Sequence, residues 1–180
     1  MKSTMVSVLV GIVLIAGYYV GKRYFLKPNI KQGVEAAEIE ASLPDGTPFR
    51  LSQLSGHYIL LDFWGSWCKP CRQSNPELVK LYDRFKNESF ADAKGFQIVS
   101  YAFDGSRDAW ASAIAKDSLN WPYHLIATDM FDSPVAKAFN VKQIPTKFLI
   151  NPEGKIIAVD PSIGEVIKLL EQRSDKTKGQ

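Results

Sequence analysis

Two cysteines three residues apart, Cys68 and Cys71, are the only thiols in the chain, and their spacing suits two-electron exchange between a dithiol and a disulfide. They lie in Trp67-Cys68-Lys69-Pro70-Cys71, where a continuous apolar run, YILLDFW, hands over to a segment with apolar residues at helical spacing. That context puts Cys68 at a helix N-terminus, whose free N–H groups and dipole favour a thiolate, with Lys69 adding a nearby positive charge. Cys71, one turn later, would lie beneath Cys68 and resolve a mixed disulfide by intramolecular attack. Pro70 lacks an N–H that would be unpaired in a first helical turn anyway, and it stiffens the loop. Three blander readings compete. A zinc half-site needs two more ligands, and the two histidines, His57 and His124, stand singly in unrelated segments. A structural disulfide would close too small a loop to stabilise much, and two inert buried thiols are the third reading. The rival function is an anchored binding protein that holds a soft ion such as Cu(I) between the thiolates. It lacks a nearby His or Met ligand.

Asp62 interrupts the apolar run. A carboxylate there should be buried, where its ionised form is costly and its pKa rises, so it could take or return the Cys71 proton, if need be through water. The alternative is an Asp at a strand edge facing solvent or a backbone donor. Ile144-Pro145-Thr146 stands just before the run KFLI. Proline at that place is either the punctuation of a strand start or a cis peptide that brings a backbone edge up to the CxxC, where an extended substrate chain can pair. Trp67 would belong to an apolar rim around Cys68, and Trp64 to the core. The candidate catalytic residues are therefore Cys68, Cys71 and Asp62. Trp67, Lys69, Pro70, Ile144 and Pro145 are the candidates for substrate binding. Neither a metal nor a cofactor is called for.

These residues need a scaffold to hold them. EIEASL-PDGT-PFRL alternates around a turn and predicts a hairpin, and FQIVSYAF predicts a second buried strand after YILLDFW. A helix is expected from Pro70 to about Phe85, kinked at Pro76, with Lys80, Arg84 and Lys86 on a solvated face. Ser106 opens a helix through Ala115, YHLIAT is a strand, and SPVAKAFN is a short helix capped by Ser133 with Pro134 at its first position. TKFLI-NPEG-KIIAV forms a hairpin and IGEVIKLLEQR a closing helix. Strands separated by helical crossovers, ending in a hairpin and a helix, imply a mixed sheet covered on both faces, an α/β sandwich.

Charge is unevenly spread. The 180 residues are 46% hydrophobic and 23% charged with a net charge of +3, but Lys2, Lys22, Arg23, Lys27 and Lys31 fall in the first 31 residues, where there is no acid. The remainder carries the other 17 basic side chains against all 19 acidic ones, so the folded part lacks the basic face of a nucleic-acid-binding domain. From Ser3 to Gly21 there is no charge, a length near the roughly 20 residues that span a bilayer core. An uncleaved membrane anchor is the leading reading, ahead of a cleaved signal and a buried core helix. The expected organisation is an anchor over 1–22, a polar tether over 23–34, one domain over 35–173 and a flexible tail over 174–180. The flanking charges, read by the positive-inside rule, would keep that domain in the cytoplasm.

The segment from about Glu35 to Gln172 resembles thioredoxin-fold proteins, specifically the membrane-anchored TlpA/ResA-like thiol–disulfide oxidoreductases. LDFWGSWCKPC, Pro76, IPTKFLINPEGKI and the insert SRDAWASAIAKDSLNWPYHLI carry the resemblance. It implies a thioredoxin-like three-layer sandwich with a mixed sheet and an N-terminal hairpin, preceded by one transmembrane helix. It makes Cys68 the attacking cysteine, Cys71 the resolving one, Pro145 the cis-proline and Asp62 the buried acid. It also implies disulfide-containing protein substrates, an upstream membrane dithiol reductase, a role in apo-cytochrome c maturation and a domain facing the periplasm or outer surface. That placement opposes the local charge count. Two positions depart from the pattern. Ser74 stands where many relatives carry Glu, and the middle dipeptide is Lys-Pro rather than Gly-Pro or Glu-Pro.

Overall fold

Strand β3 (Tyr58–Trp64) is buried along its whole length because both faces of the sheet are covered in a computed structural model that describes residues 2–174, with only the backbone of Lys2, Ser3, Thr4, Ser7, Arg23 and Tyr24. Side chains alternate along a strand. Tyr58, Leu60 and Trp64 therefore enter one core, and Ile59, Leu61 and Phe63 the other. β4 (Phe96–Phe103) and β5 (Tyr123–Ala127) continue the sheet in parallel on one side of β3. β6 (Thr146–Ile150) and β7 (Ile156–Val159) continue it antiparallel on the other, giving the order β5-β4-β3-β6-β7.

Helix α2 (Lys69–Phe85) links β3 to β4, and α3 (Arg107–Lys116) links β4 to β5. Parallel crossovers are right-handed in nearly all sheets, so two that step the same way put their helices on one face. Leu78 and Leu81 of α2 and Trp110 of α3 do share the Leu60–Trp64 core, joined by Val166 and Leu170 of α5 (Ile163–Glu171). The chain then returns past β3 to reach β6, and α4 (Pro134–Ala138) lies on the opposite face. Beside it pack the hairpin of β1 (Glu40–Ser42) and β2 (Pro48–Arg50) and a 3₁₀ turn, Leu51–Leu54. The result is the three-layer α/β sandwich with a mixed sheet. Ser106, Ser133 and Ser162 cap α3, α4 and α5 by accepting from the N–H groups of Ala109, Ala136 and Glu165.

Several details differ from the expectations. The hairpin pairs only with itself, as a separate two-stranded sheet laid over the core. The chain is tied to the domain before Glu35, since Gly33 N–H donates to Ile156 O at 2.8 Å and Ile156 N–H to Val34 O at 2.9 Å, along the free edge of β7. Ser174, the first residue of the expected tail, is buried, with its hydroxyl donating to Glu88 at 2.6 Å. Residues 175–180 of that tail, and Met1, lie outside the described residues.

Helix α1 (Lys2–Leu26) precedes the domain. Its large apolar side chains from Met5 to Val20 stay more than half exposed. Among the described residues, no helix is long and apolar enough to cross a membrane.

Candidate active site

The end of β3 and the start of α2 are joined by Gly65-Ser66-Trp67-Cys68, and backbone chemistry fixes this loop. Trp67 Nε1 donates to Phe103 O at 2.8 Å, and Ser66 N–H donates to Asp104 Oδ2 at 2.8 Å, so the loop is pinned to the end of β4. Gly65 makes this approach feasible. A Cβ there would lie 2.9 Å from both Phe103 O and Trp67 Nε1, closer than packed atoms come. The indole of Trp67 remains 55% exposed although its nitrogen is bonded.

Cys68 is the N-cap of α2, and its sulfur accepts from Cys71 N–H at 3.3 Å. The two sulfurs form a disulfide, and both residues are buried. Lys69 and Pro70 fill the exposed first turn of α2. The helix runs on through Pro76, whose ring removes one donor from the ladder. Ser74 spends its hydroxyl on the Cys71 carbonyl at 2.8 Å.

Phe63 pairs in antiparallel register with Thr146, which sets Pro145 opposite Trp64, just before the cysteine loop begins. The Ile144–Pro145 peptide is cis. Ile144 is half-buried and packs against both cores, including the one that holds Cys68 and Cys71. On its outer side, Gln143–Pro145 lines a cleft of 550 Å³ together with Tyr19, Lys22 and Leu26 of α1.

Asp62 points to the α2 face by strand alternation and is 2% exposed. Its register partner on β6 is Lys147, also buried, whose Nζ lies 3.3 Å from Asp62 Oδ1. The two are close enough for ion pairing but not aligned for a hydrogen bond, and Oδ1 has no hydrogen-bond partner. Burial raises the pKa of Asp62, and the opposing pull of Lys147 does not cancel it. A buried carboxyl of this kind keeps its proton to a higher pH than an ordinary surface Asp does.

A second polar cluster braces the start of α2. Arg72 pairs with Asp117 at the end of α3 through two nitrogens, Nη2 reaching Oδ1 at 2.6 Å, and its Nη1 donates to Ser66 O at 3.3 Å. Asn75 Nδ2 donates to Asp117 Oδ2 at 2.6 Å. Burial alone would raise the Asp117 pKa, but the hydrogen bonds of Arg72 and Asn75 and the Arg72 charge hold it below the usual carboxylate value. Stability from a depressed carboxyl is fully present above its unfolded pKa, about 4, and is lost as pH falls through the folded value. Asp117→Ala should therefore lower the unfolding free energy at pH 7 by about 1–3 kcal/mol, because Arg72 and Asn75 lose their acceptor. Urea unfolding at a series of pH values should show the difference shrinking below about pH 4.

Cys68, Cys71, Asp62, Trp67, Ile144 and Pro145 thus converge where β3 ends and β6 begins. Lys147, Asp104, Gly65, Arg72 and Asp117 join them without having been singled out by sequence. Lys147 did carry a signal, an ionisable residue inside the apolar run KFLI. Arg72 and Asp117 carried none, being 45 positions apart. Among the described residues no group of three or more His, Cys, Asp or Glu side chains could hold a metal ion.

A family model described as thioredoxin-like matches residues 56–156. The thiol-disulfide oxidoreductase ResA of Bacillus subtilis (strain 168) is 31% identical over 154 residues, covering 85% of this chain and 80% of that protein. A ResA of Bacillus cereus is 30% identical over 159 residues, covering 88% and 82%. Among solved structures, the thioredoxin domain of a thiol-disulfide oxidoreductase from Bacteroides vulgatus gives a TM-score of 0.70 at 28% identity, covering 80% of this chain and 98% of that one. A thiol-disulfide oxidoreductase from Bacteroides fragilis NCTC 9343 gives 0.67 at 30% identity, covering 76% and 99%.

Proposed function

The chain belongs to the thioredoxin-like family as a ResA-like thiol–disulfide oxidoreductase, and from this premise we propose that it is a membrane-anchored reductant of disulfides in extracytoplasmic proteins. The observation that carries the reading is the Cys68–Cys71 pair at the N-terminus of α2, next to the backbone edge at Ile144-Pro145.

In the reduced protein the Cys71 N–H and the α2 dipole stabilise a Cys68 thiolate. That thiolate attacks one sulfur of a substrate disulfide, the other sulfur leaves as a thiolate, and a mixed disulfide forms. Cys71 gives its proton to the Asp62 carboxylate and attacks the Cys68 sulfur, which releases the second substrate sulfur as a thiolate, and both substrate thiolates take protons from water. Two electrons have passed to the substrate, and the enzyme is left as the disulfide. An upstream membrane dithiol reductase restores it. An extended substrate chain pairs with the backbone at Ile144, with the apolar rim of Trp67 and Ile144 and the Lys69-Pro70 turn around it. Among the described residues the exposed large apolar side chains outside α1 are Val34 and Trp67, and the latter borders Cys68. Apo-cytochrome c, whose haem-attachment cysteines must be thiols, is the destination that kinship suggests.

The anchor reading rests on α1, whose large apolar side chains from Met5 to Val20 stay more than half exposed. The tether and domain boundaries follow the same reading, with the domain beginning at the Gly33–Ala36 pairing along β7. Four cations follow the apolar run and one precedes it, which by charge alone favours the cytoplasmic side. The outer side is proposed on kinship.

The test uses the full-length chain in detergent micelles. It should accelerate insulin reduction by dithiothreitol, and a rate equal to that of dithiothreitol alone would overturn the proposal. In intact cells a membrane-impermeant maleimide should label Cys68, and labelling only after lysis would reverse the placement.

A further inference from the structure

Tyr19, Lys22 and Leu26 of α1 stand at i, i+3 and i+7, the spacing of one helical face. All three line the cleft of 550 Å³ beside the cis peptide, across from Gln143, Ile144, Pro145 and Asp160. Asp160 belongs to the same end of the sheet as the cysteine loop, since its N–H donates to Lys147 O at 2.7 Å where β7 ends and β6 begins. Tyr19 leaves 64% of its surface exposed, and Leu26 is half-buried.

Contacts of its own hold the helix there. Lys142 Nζ stands over the ring of Phe25, 5.1 Å from its centroid. Past the helix, Pro28 is buried and Ile30 packs against the core beneath the hairpin, before Gly33 and Val34 pair with β7. Residues 27–34 are thus a strap laid along the domain, and they fix the last turns of α1 beside Ile144. Ile144 in turn packs against the core that holds Cys68 and Cys71, so one residue joins the disulfide site to the cleft.

We propose that the last two turns of α1 are the outer wall of the substrate site. An extended peptide, held by its cysteine at Cys68 and by the backbone at Ile144, lays an apolar side chain flanking that cysteine between Tyr19, Leu26 and Pro145. This rests on the reading of Ile144-Pro145 as the pairing edge. Gln143–Pro145 are at once that edge and one side of the cleft. A chain paired there advances about 3.3 Å per residue along the cleft and has α1 as its opposite wall. Lys22 and Asp160 offer charges of opposite sign to the peptide's polar groups. Tyr19 and Lys22 also stand where the apolar run of α1 ends, so this wall puts the substrate disulfide at the bilayer surface.

The test uses the full-length Cys71→Ser chain in detergent micelles, reduced and then joined at Cys68 to a short disulfide peptide that carries a benzophenone side chain beside its cysteine. After irradiation, mass spectrometry should find the peptide crosslinked within residues 19–26. Crosslinks confined to the domain overturn the inference and leave the oxidoreductase reading standing. Failure to form the mixed disulfide at all overturns that reading, and the inference with it. In turnover by the chain with both cysteines, Tyr19→Ala combined with Leu26→Ala removes the apolar wall. The kcat/KM for the peptide should then fall about tenfold relative to that for bis(2-hydroxyethyl) disulfide, which is too small to reach α1. The loss should lie in KM, as expected of a binding contact that does not change during the reaction. An unchanged ratio between the two substrates overturns the inference.

Discussion

Cys71→Ser should turn the protein from a catalyst into a trap. Cys68 keeps its place as N-cap of α2 and still attacks, but no second thiol lies one turn away to release the product. Well-oriented intramolecular groups reach effective molarities of about 10⁵ M or more, so steady-state disulfide reduction should fall by at least about a thousandfold. The mixed disulfide should accumulate instead. Mass spectrometry after mixing the reduced variant with a disulfide peptide should find one peptide thiol attached to Cys68. Cys68→Ser should lose turnover to the same degree and trap nothing. If the two variants exchanged these behaviours, the assignment of attacking and resolving thiols would be inverted. The asymmetry has a structural basis, since Cys68 is the N-cap of α2 beside the exposed Trp67 whereas Cys71 is inside α2 against the sheet.

Phe63→Ala should cost more stability than any surface change. The ring sits in an aromatic cluster with centroids 5.5 Å from Tyr101, 5.7 Å from Phe103, 5.6 Å from Phe139 and 5.9 Å from Phe148, drawn from β4, α4's C-cap and β6. Truncating a buried Phe costs about 3–5 kcal/mol, a large share of the roughly 5–15 kcal/mol that a domain has in total. The midpoint of urea unfolding should fall accordingly, and the melting temperature by about 10 °C. A loss under about 1 kcal/mol would mean that the neighbours close the gap, contrary to a well-packed core. Phe63 and Asp62 are adjacent but point to opposite faces, so the folded fraction should keep the wild-type pH profile of the resolving step.

Much of this was legible along the chain because it depends on near neighbours. The unbroken run from Tyr58 to Trp64 reads as a doubly covered strand, since only burial on both faces tolerates it. Ser106 and Ser133 mark helix starts because a side-chain oxygen satisfies an N–H three residues on. The CxxC at a strand–helix junction states its chemistry by spacing alone. Asp62 in that strand announces a buried charge.

What the chain order could not say is which buried groups meet. Lys147 lies beside Asp62, and Ser100 between Asp62 and His124, because strands distant in sequence settle into one register, and a shift of one residue would turn each side chain to the other face. Arg72 finds Asp117 only when α2 and α3 come to lie on the same side of the sheet. Among the described residues the hairpin joins no other strand and lies over the core rather than at an edge of the main sheet. Local spacing determined that there is a redox pair and a buried acid in this protein. The packing of strands and helices alone decided what surrounds that acid, because the partners come from β4, β5 and β6 and meet only when the sheet is complete.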